Sequence, residues 1–305
     1  MREIMPMLVT AGIVMLAGGA AAQQGSTRTI TANGATARLS FRPDGRLGNC
    51  VIVTSSGNGA TDAATCRHAL HAPQTGSAAT PATSAGIPQA LADPARADQA
   101  GDDARREAAT VLAFSGVKAG DVVVDYLPGR YYWTRIFSGI VGPRGKVLAM
   151  WPAAAADRAT KALPDTLGKW KLTNVTLETT ATNLPAAREP VDLFWTVQNY
   201  HDMANKGAGE AGLAAFDAAV FKLLKHGGTY LVIDHADAAG TGISGTETKH
   251  RIEPAVVRRQ VEAAGFRFVG SSTVLANPAD DHGKGVFDPT IRGHTDQFVF
   301  KFRKP

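Results

Sequence analysis

The chain of 305 residues holds only two cysteines, Cys50 and Cys66. That excludes the paired CxxC…CxxC ligands of a zinc ribbon. There is no long run of basic residues and no basic stripe interleaved with aromatics; the net charge of +5 is scattered. No nucleic-acid partner is expected from such a pattern. The 32 glycines and 16 prolines follow no short period, so collagen and simple repeats are excluded. After the N-terminus no apolar run approaches spanning length, so the mature protein is expected to have no integral membrane span. What is present is a chain 44% hydrophobic and 19% charged, enough to bury a sizeable core in one or two domains.

The N-terminus is the one strongly apolar stretch, Met5 to Gly19, followed by Ala20-Ala21-Ala22-Gln23. A small-x-small site after such a stretch is a secretory signal pattern, with cleavage expected after Ala22. Residues 1–22 are read as the signal, and the mature protein as periplasmic or secreted. Residues 23–70 read as a small α+β module. Thr27 to Thr31 and Ala35 to Phe41 alternate as strands around Asn33-Gly34, a hairpin turn signal. Pro43-Asp44-Gly45 turns again, Leu47 to Thr54 is a third strand, and Asp62 to Leu70 a short helix. In an exported protein Cys50 and Cys66 are expected to form a disulfide tying that strand to that helix. A loop of this size contributes roughly 3 kcal/mol in the chain-entropy model.

The string Asp44-Gly45-Arg46-Leu47-Gly48-Asn49-Cys50-Val51-Ile52-Val53-Thr54-Ser55-Ser56-Gly57, with Asp62-Ala63-Ala64-Thr65-Cys66 after it, resembles the TonB C-terminal domain family. The resemblance implies an interaction module of the cell envelope, with an envelope protein partner through residues 27–70. Residues 71–100, rich in Ala, Pro, Ser, Thr and Gln, read as a flexible linker.

From Gly101 to Pro305 strands and helices alternate. A helix over Arg105 to Phe114 is expected, capped by Asp102 or Asp103. Val122-Val123-Val124-Asp125-Tyr126 is a β-branched run ending in an acid, as in a buried parallel strand. Tyr132 to Ile140 follows as a helix, Lys146 to Met150 as a strand, Ala154 to Ala162 as a helix and Val175 to Glu178 as a strand. Pro190 to Gln198 holds the next strand. Gly212 to Lys225 is a helix closed by His226-Gly227-Gly228, and Thr229 to Asp234 a strand. Glu253 to Ala264 is a helix with Pro254 in its first turn, before strands at Phe266 to Gly270 and Gln297 to Phe302. Such alternation predicts an α/β fold with a doubly wound sheet, whose ligands bind at the carboxyl ends of the strands where strand order reverses.

The first βα turn is Asp125-Tyr126-Leu127-Pro128-Gly129-Arg130-Tyr131-Tyr132-Trp133-Thr134. With it, Val141-Gly142-Pro143-Arg144-Gly145-Lys146-Val147, Gln198-Asn199-Tyr200-His201-Asp202, His250-Arg251-Ile252-Glu253-Pro254, Ala263-Ala264-Gly265-Phe266 and the closing Asp296 to Pro305 resemble a bacterial group of class I S-adenosylmethionine-dependent methyltransferases. The resemblance implies a Rossmann-like, seven-stranded sheet with an antiparallel final strand, and methyl transfer from S-adenosylmethionine to a small-molecule or envelope substrate. It implies cofactor contacts from Asp125, Leu127, Pro128, Gly129, Tyr132, Trp151, Asn199 and Tyr200, and His201 and Asp202 as the catalytic pair facing the acceptor. Two departures stand out. Arg130 and Tyr131 replace two glycines of the group's turn, so their side chains would crowd the methionine end of the cofactor. Ala149-Met150-Trp151-Pro152 offers no acid for the ribose hydroxyls after the second strand.

Those departures motivate the alternative of a non-catalytic envelope binding protein on a methyltransferase-like fold. His201, Asp202, Asp234, His235, Asp237 and His250 should also lie near one sheet edge, and are metal-ligand types suited to metal-assisted hydrolysis. No HxH or HxxxH pair supports that locally, so no metal is assigned. Asp280-Asp281-His282, in the Gly-rich loop Asn277 to Gly285, is expected to be solvated.

Overall fold

The structure, a computed structural model, describes residues 27–32, 35–41, 47–54, 86–155, 157 and 167–305. Two units divide the chain, 1–76 and 77–305. In the first, strands β1 (Thr27–Ala32), β2 (Ala35–Phe41) and β3 (Leu47–Thr54) form an antiparallel sheet in that order. The expected signal peptide, the helix over 62–70 and the Cys50–Cys66 bridge fall outside the described residues.

The second unit is built on a seven-stranded mixed sheet. Its strands are β4 (Val122–Tyr126), β5 (Lys146–Trp151), β6 (Val175–Thr179), β7 (Val191–Val197), β8 (Leu224–His235), β9 (Arg267–Ser272) and β10 (Gln297–Arg303). Their spatial order is β6-β5-β4-β7-β8-β10-β9. The pairs from β6 to β8 are parallel, and β10 runs antiparallel to both β8 and β9. This is the doubly wound α/β arrangement expected from the alternation, and strand order reverses between β4 and β7.

The helices are α1 (Gly86–Leu91), α2 (Ala108–Ser115), α3 (Tyr132–Val141), α4 (Gly209–Leu223) and α5 (Pro254–Ala263). Period-two alternation sorts the strand residues between two cores. Val123, Val147, Leu193 and Trp195 pack with Val111 and Leu112 of α2 and Ile136 and Phe137 of α3. Val124, Leu148, Phe194 and Val232 face Leu213, Phe216 and Val220 of α4 and Val256, Val257 and Val261 of α5. Both faces of the parallel strands are thus covered, which is why their sequences are nearly continuous apolar runs.

Three expectations need correction. The stretch read as a flexible linker carries α1, with Ile87 and Ala90 buried in the first core. Arg96 is buried as well, paired with Asp103 at 2.6 Å. Second, neither Asp102 nor Asp103 caps α2: its N-cap is Glu107 in a left-handed conformation, while Asp102 pairs with Arg105 and Asp103 with Arg96. Third, His226-Gly227-Gly228 does not close α4. The helix ends at Leu223, and Leu224 is already extended and opens β8. Gly227, at φ +73°, donates its N–H to the Lys304 carbonyl at 2.9 Å, so the glycines serve the start of a strand.

Candidate functional site

The turn after β4 is built from left-handed residues: Leu127 at φ +51°, Gly129 at +57° and Tyr131 at +59°. This conformation is costly for the two residues with a Cβ. Leu127 is held by its N–H, which donates to the Met150 carbonyl at the end of β5 (2.9 Å), and Tyr131 by its N–H to the Pro128 carbonyl (2.9 Å). No atom lies within 4 Å of the place a Cβ on Gly129 would take, so the turn is open there.

Two cavities meet at this turn. One, of about 210 Å³, is lined by Asp125, Leu127, Pro128, Gly129 and Tyr132 of the expected cofactor residues, together with Arg106. Asp98, Gln99, Asp102, Arg130 and Gln198 complete its polar wall. The other, of about 590 Å³, shares Tyr126 and Leu127 and extends past Pro152 and Asn183 to Asp202 and Met203. Both open at the carboxyl ends of β4 and β7.

Asp125 is 2% exposed and accepts a hydrogen bond from the Thr134 hydroxyl at 2.6 Å. Burial pushes its carboxyl up to about 7; the Thr134 bonds and the Arg106 charge act against that rise without cancelling it. Arg106 lies over the Tyr132 ring, 4.6 Å from its centroid. Its Nε is buried without a hydrogen-bond partner, the Asp102 carboxylate standing 3.8 Å away. The Tyr132 hydroxyl donates to Asp103 at 2.5 Å, and burial raises its pKa. Arg130 is exposed, its carbonyl accepting from the Gln99 side chain at 2.9 Å.

Tyr131 and Trp151 turn elsewhere. Both rings are buried in the first core and meet edge to face with centroids 6.1 Å apart. Trp151 lines neither cavity, and Pro152 takes that place at the end of β5.

After β7 the chain turns through Gln198, at φ +59°, into a short 3₁₀ turn His201–Ala204. Asn199 bonds the Thr196 hydroxyl and donates its amide to the carbonyls of Tyr126 (3.2 Å) and Val197 (3.1 Å), tying the ends of β4 and β7 together. Tyr200 points into the second core, where its hydroxyl and that of Tyr230 donate to buried Asp217 at 2.7 and 3.2 Å. The structure therefore gathers Asp125, Leu127, Pro128, Gly129 and Tyr132 at one cavity. It leaves Trp151 and Tyr200 in the cores.

His201 and Asp202 are neighbours in the 3₁₀ turn; Asp202 lines the larger cavity, and His201 lines neither cavity. His201 is buried, and Asp234 holds it twice. The carboxylate accepts the His201 backbone N–H at 2.8 Å and lies 2.9 Å from Nδ1. Burial acts to lower the His201 pKa, but the Asp234 carboxylate beside it prevails and raises it. The same contact holds Asp234 low, against its own burial. On its other side, Nε2 of His201 lies 3.2 Å from Nδ1 of His250 and 3.4 Å from Asp202. Nδ1 of His250 is 3.9 Å from the same Asp202 oxygen. His250 sits at φ +57°, its ring edge-on to Phe287 with centroids 4.9 Å apart.

The other candidate ligands are engaged elsewhere. His235 bonds Thr295 at 2.8 Å, and burial lowers its pKa to about 4. Asp237 pairs with Lys249 at 2.6 Å. Asp280, expected in solvent, is buried, and Nη2 of Arg251 donates to both of its carboxylate oxygens at 3.0 and 2.8 Å.

Sequence reasoning missed Arg106 and the segment around Gln99, read as linker and helix; the only signal was the dense charge of Asp102-Asp103-Ala104-Arg105-Arg106. It also missed Phe287, for which there was none. Among the described residues no helix is long and apolar enough to cross a membrane.

No protein-family model matches the chain, and no curated protein matches it. Solved structures do. A SAM-dependent methyltransferase from Aquifex aeolicus is 18% identical, with 71% of this chain and 96% of that one covered and a TM-score of 0.48. The [4+2]-cyclase SpnF is 16% identical, over 66% of this chain and 80% of its own, with a TM-score of 0.49. The N-methyltransferase NodS from Bradyrhizobium japonicum WM9 is 15% identical, over 67% and 99%, with a TM-score of 0.47. Likeness at this level decides no activity; the chemistry has to be read from the site.

Proposed function

We propose that this protein is an S-adenosylmethionine-dependent methyltransferase, or a descendant that keeps the cofactor site, acting in the cell envelope. One observation carries the reading: a buried carboxylate, Asp125, faces a cavity at the reversal of strand order, beneath an open left-handed turn. Doubly wound sheets bind their ligands there. Of the motifs that resemble class I methyltransferases, Asp125 to Thr134 forms that turn, and Gln198 to Asp202 follows the neighbouring β7. The export pattern of residues 1–22 supports the envelope.

The donor set suits the cofactor at its methionine end. A sulfonium and an ammonium are cationic and favour the ionised form of Asp125, while the methionine carboxylate suits Arg106, whose Nε lacks a hydrogen-bond partner. At the ribose end, where β5 supplies no acid, Asn183 and Asp202 line the larger cavity instead. When bound, S-adenosylmethionine supplies an electrophilic methyl group. Methyl transfer is an in-line displacement, so the protein's main task is positioning. Leu127 and Gly129 shape the wall, Asn199 fixes the spacing of β4 and β7, and Asp125 balances positive charge. An acceptor with a proton to lose meets Nε2 of His201, the basic atom left once Asp234 holds Nδ1.

Calorimetric titration of the full chain with S-adenosylmethionine, and with its demethylated product, tests this. Saturable binding of both is expected. Absence of heat at millimolar ligand, in protein that melts cooperatively, overturns it in favour of the non-catalytic envelope binding protein. The lack of an acid after β5, where Trp151 is buried in the core and Pro152 lines the cavity, is the observation on that side.

A further inference from the structure

Three ligand atoms from distant parts of the chain converge beside the larger cavity: Nε2 of His201, Nδ1 of His250 and a carboxylate oxygen of Asp202. They stand 3.2, 3.4 and 3.9 Å apart. Ligands bonded at about 2.1 Å in a tetrahedral site lie about 3.4 Å from one another. Without a cation, two imidazole nitrogens at 3.2 Å tolerate each other only if one carries the proton between them.

The surroundings are those of a built site. Asp234, fully buried, holds Nδ1 of His201 at 2.9 Å and so aims Nε2 at the other two ligands. Metal-bound histidines are commonly oriented by a carboxylate on their second nitrogen. The same carboxylate grips the His201 backbone, so the ring is fixed from both ends. His250 is set by a left-handed backbone and by the Phe287 ring. Two sides remain accessible: the His250 side chain is 33% exposed and that of Asp202 is 41%. Three protein ligands with an open face match a site that also takes water or substrate, rather than a closed structural one. Two imidazoles and one carboxylate suit borderline divalent cations of the first transition row better than Mg²⁺ or Ca²⁺, which prefer oxygen.

We infer that His201, His250 and Asp202 form a binding site for one divalent transition-metal ion of the Zn²⁺ type, with His201 oriented by Asp234. Asp202 also lines the larger cavity, and Phe287, 61% exposed, packs edge-on against the His250 ring and offers an apolar surface beside that ligand. In the metal-bound state Nε2 of His201 holds the ion and does not take up a proton. The inference stands whether or not the protein binds S-adenosylmethionine.

The test uses the full chain stripped with a chelator and titrated with Co²⁺, then Zn²⁺, without cofactor. One Co²⁺ per chain is expected, with a visible absorption band that Zn²⁺ abolishes and a rise in melting temperature. His250→Ala and Asp202→Ala should each weaken Co²⁺ binding at least tenfold while the metal-free melting temperature stays near wild type, both side chains being partly exposed. His226→Ala, at the opposite end of β8 from Asp234 and bonded to the Pro305 carbonyl, should leave it unchanged. Absence of saturable Co²⁺ binding, or equal affinity in wild type and the two cluster variants, overturns the site.

Discussion

Tyr131 sets two residue-scale effects against each other. Its left-handed backbone is strained, and glycine would relieve that by about 1–2 kcal/mol. Its ring is buried against Trp151, and truncating a buried aromatic costs about 3–5 kcal/mol. Burial outweighs strain, so Tyr131→Gly should destabilise by roughly 2 kcal/mol, measured by urea unfolding; a more stable variant would show that strain dominates. The sequence showed that Arg130 and Tyr131 stand where glycines were expected. It did not show that the Tyr131 ring turns into the core while the cavity stays lined by Gly129. That direction depends on a partner, Trp151, from another strand. The sequence placed His250 near the same sheet edge as His201 but did not single out their direct contact, for the same reason. His250 lies 49 residues from His201, and only the fold makes them neighbours.

At the scale of elements, strands were read well because their signal is local. Runs such as Val122-Val123-Val124 are buried on both faces and carry no polar alternation. Helix ends were read less well, because tertiary partners compete for capping groups. Asp102 and Asp103, good local caps, are drawn to Arg105 and Arg96 instead. α1 was invisible since only six residues form it and packing of Ile87 and Ala90 sustains it.

The contact between α4 and the His201–Ala204 turn gives a further test. A Cβ on Gly212 would run into the Met203 carbonyl. Gly212→Ala should therefore cost roughly 1–3 kcal/mol and disturb His201 and Asp202 directly. The measurement is chemical denaturation with the His201 ring signals followed by NMR; unchanged signals would refute the coupling. The loop after β9 is pinned by Arg251 and Asp280, both buried. Removing one partner of a buried pair leaves a charge uncompensated, so Asp280→Ala should destabilise by about 3–5 kcal/mol. A thermal melt matching wild type would contradict that.

For the molecule as a whole, buried acids make stability depend on pH. Burial pushes the Asp217 carboxyl up to about 7 despite the hydroxyls of Tyr200 and Tyr230. A folded pKa above the unfolded value means that this group's contribution is complete below about pH 4 and is lost as pH rises through 7. Asp217→Asn, which cannot ionise, should gain on wild type between pH 5 and 8, read as the difference in melting temperature at each pH. A difference that does not change with pH would refute it. The doubly wound α/β sheet of residues 101–305 was legible from alternation alone, because it repeats one simple unit. The cavities were not, since their walls combine residues from the β4 turn, the end of β7 and the segment before α2.

The central claim places a cationic cofactor against Asp125. Its charged neighbours at the cavity are Arg106, Arg130, Asp98 and Asp102, and its own pKa is raised to about 7 by burial. A cationic ligand binds the ionised form, so protons compete with it. The most direct measurement is S-adenosylmethionine affinity from pH 6 to 8, in wild type and Asp125→Asn. Wild-type affinity should rise with pH by roughly tenfold, and the variant should bind more weakly with a much flatter profile. Binding that is absent, or that follows the same profile in both proteins, would contradict the account.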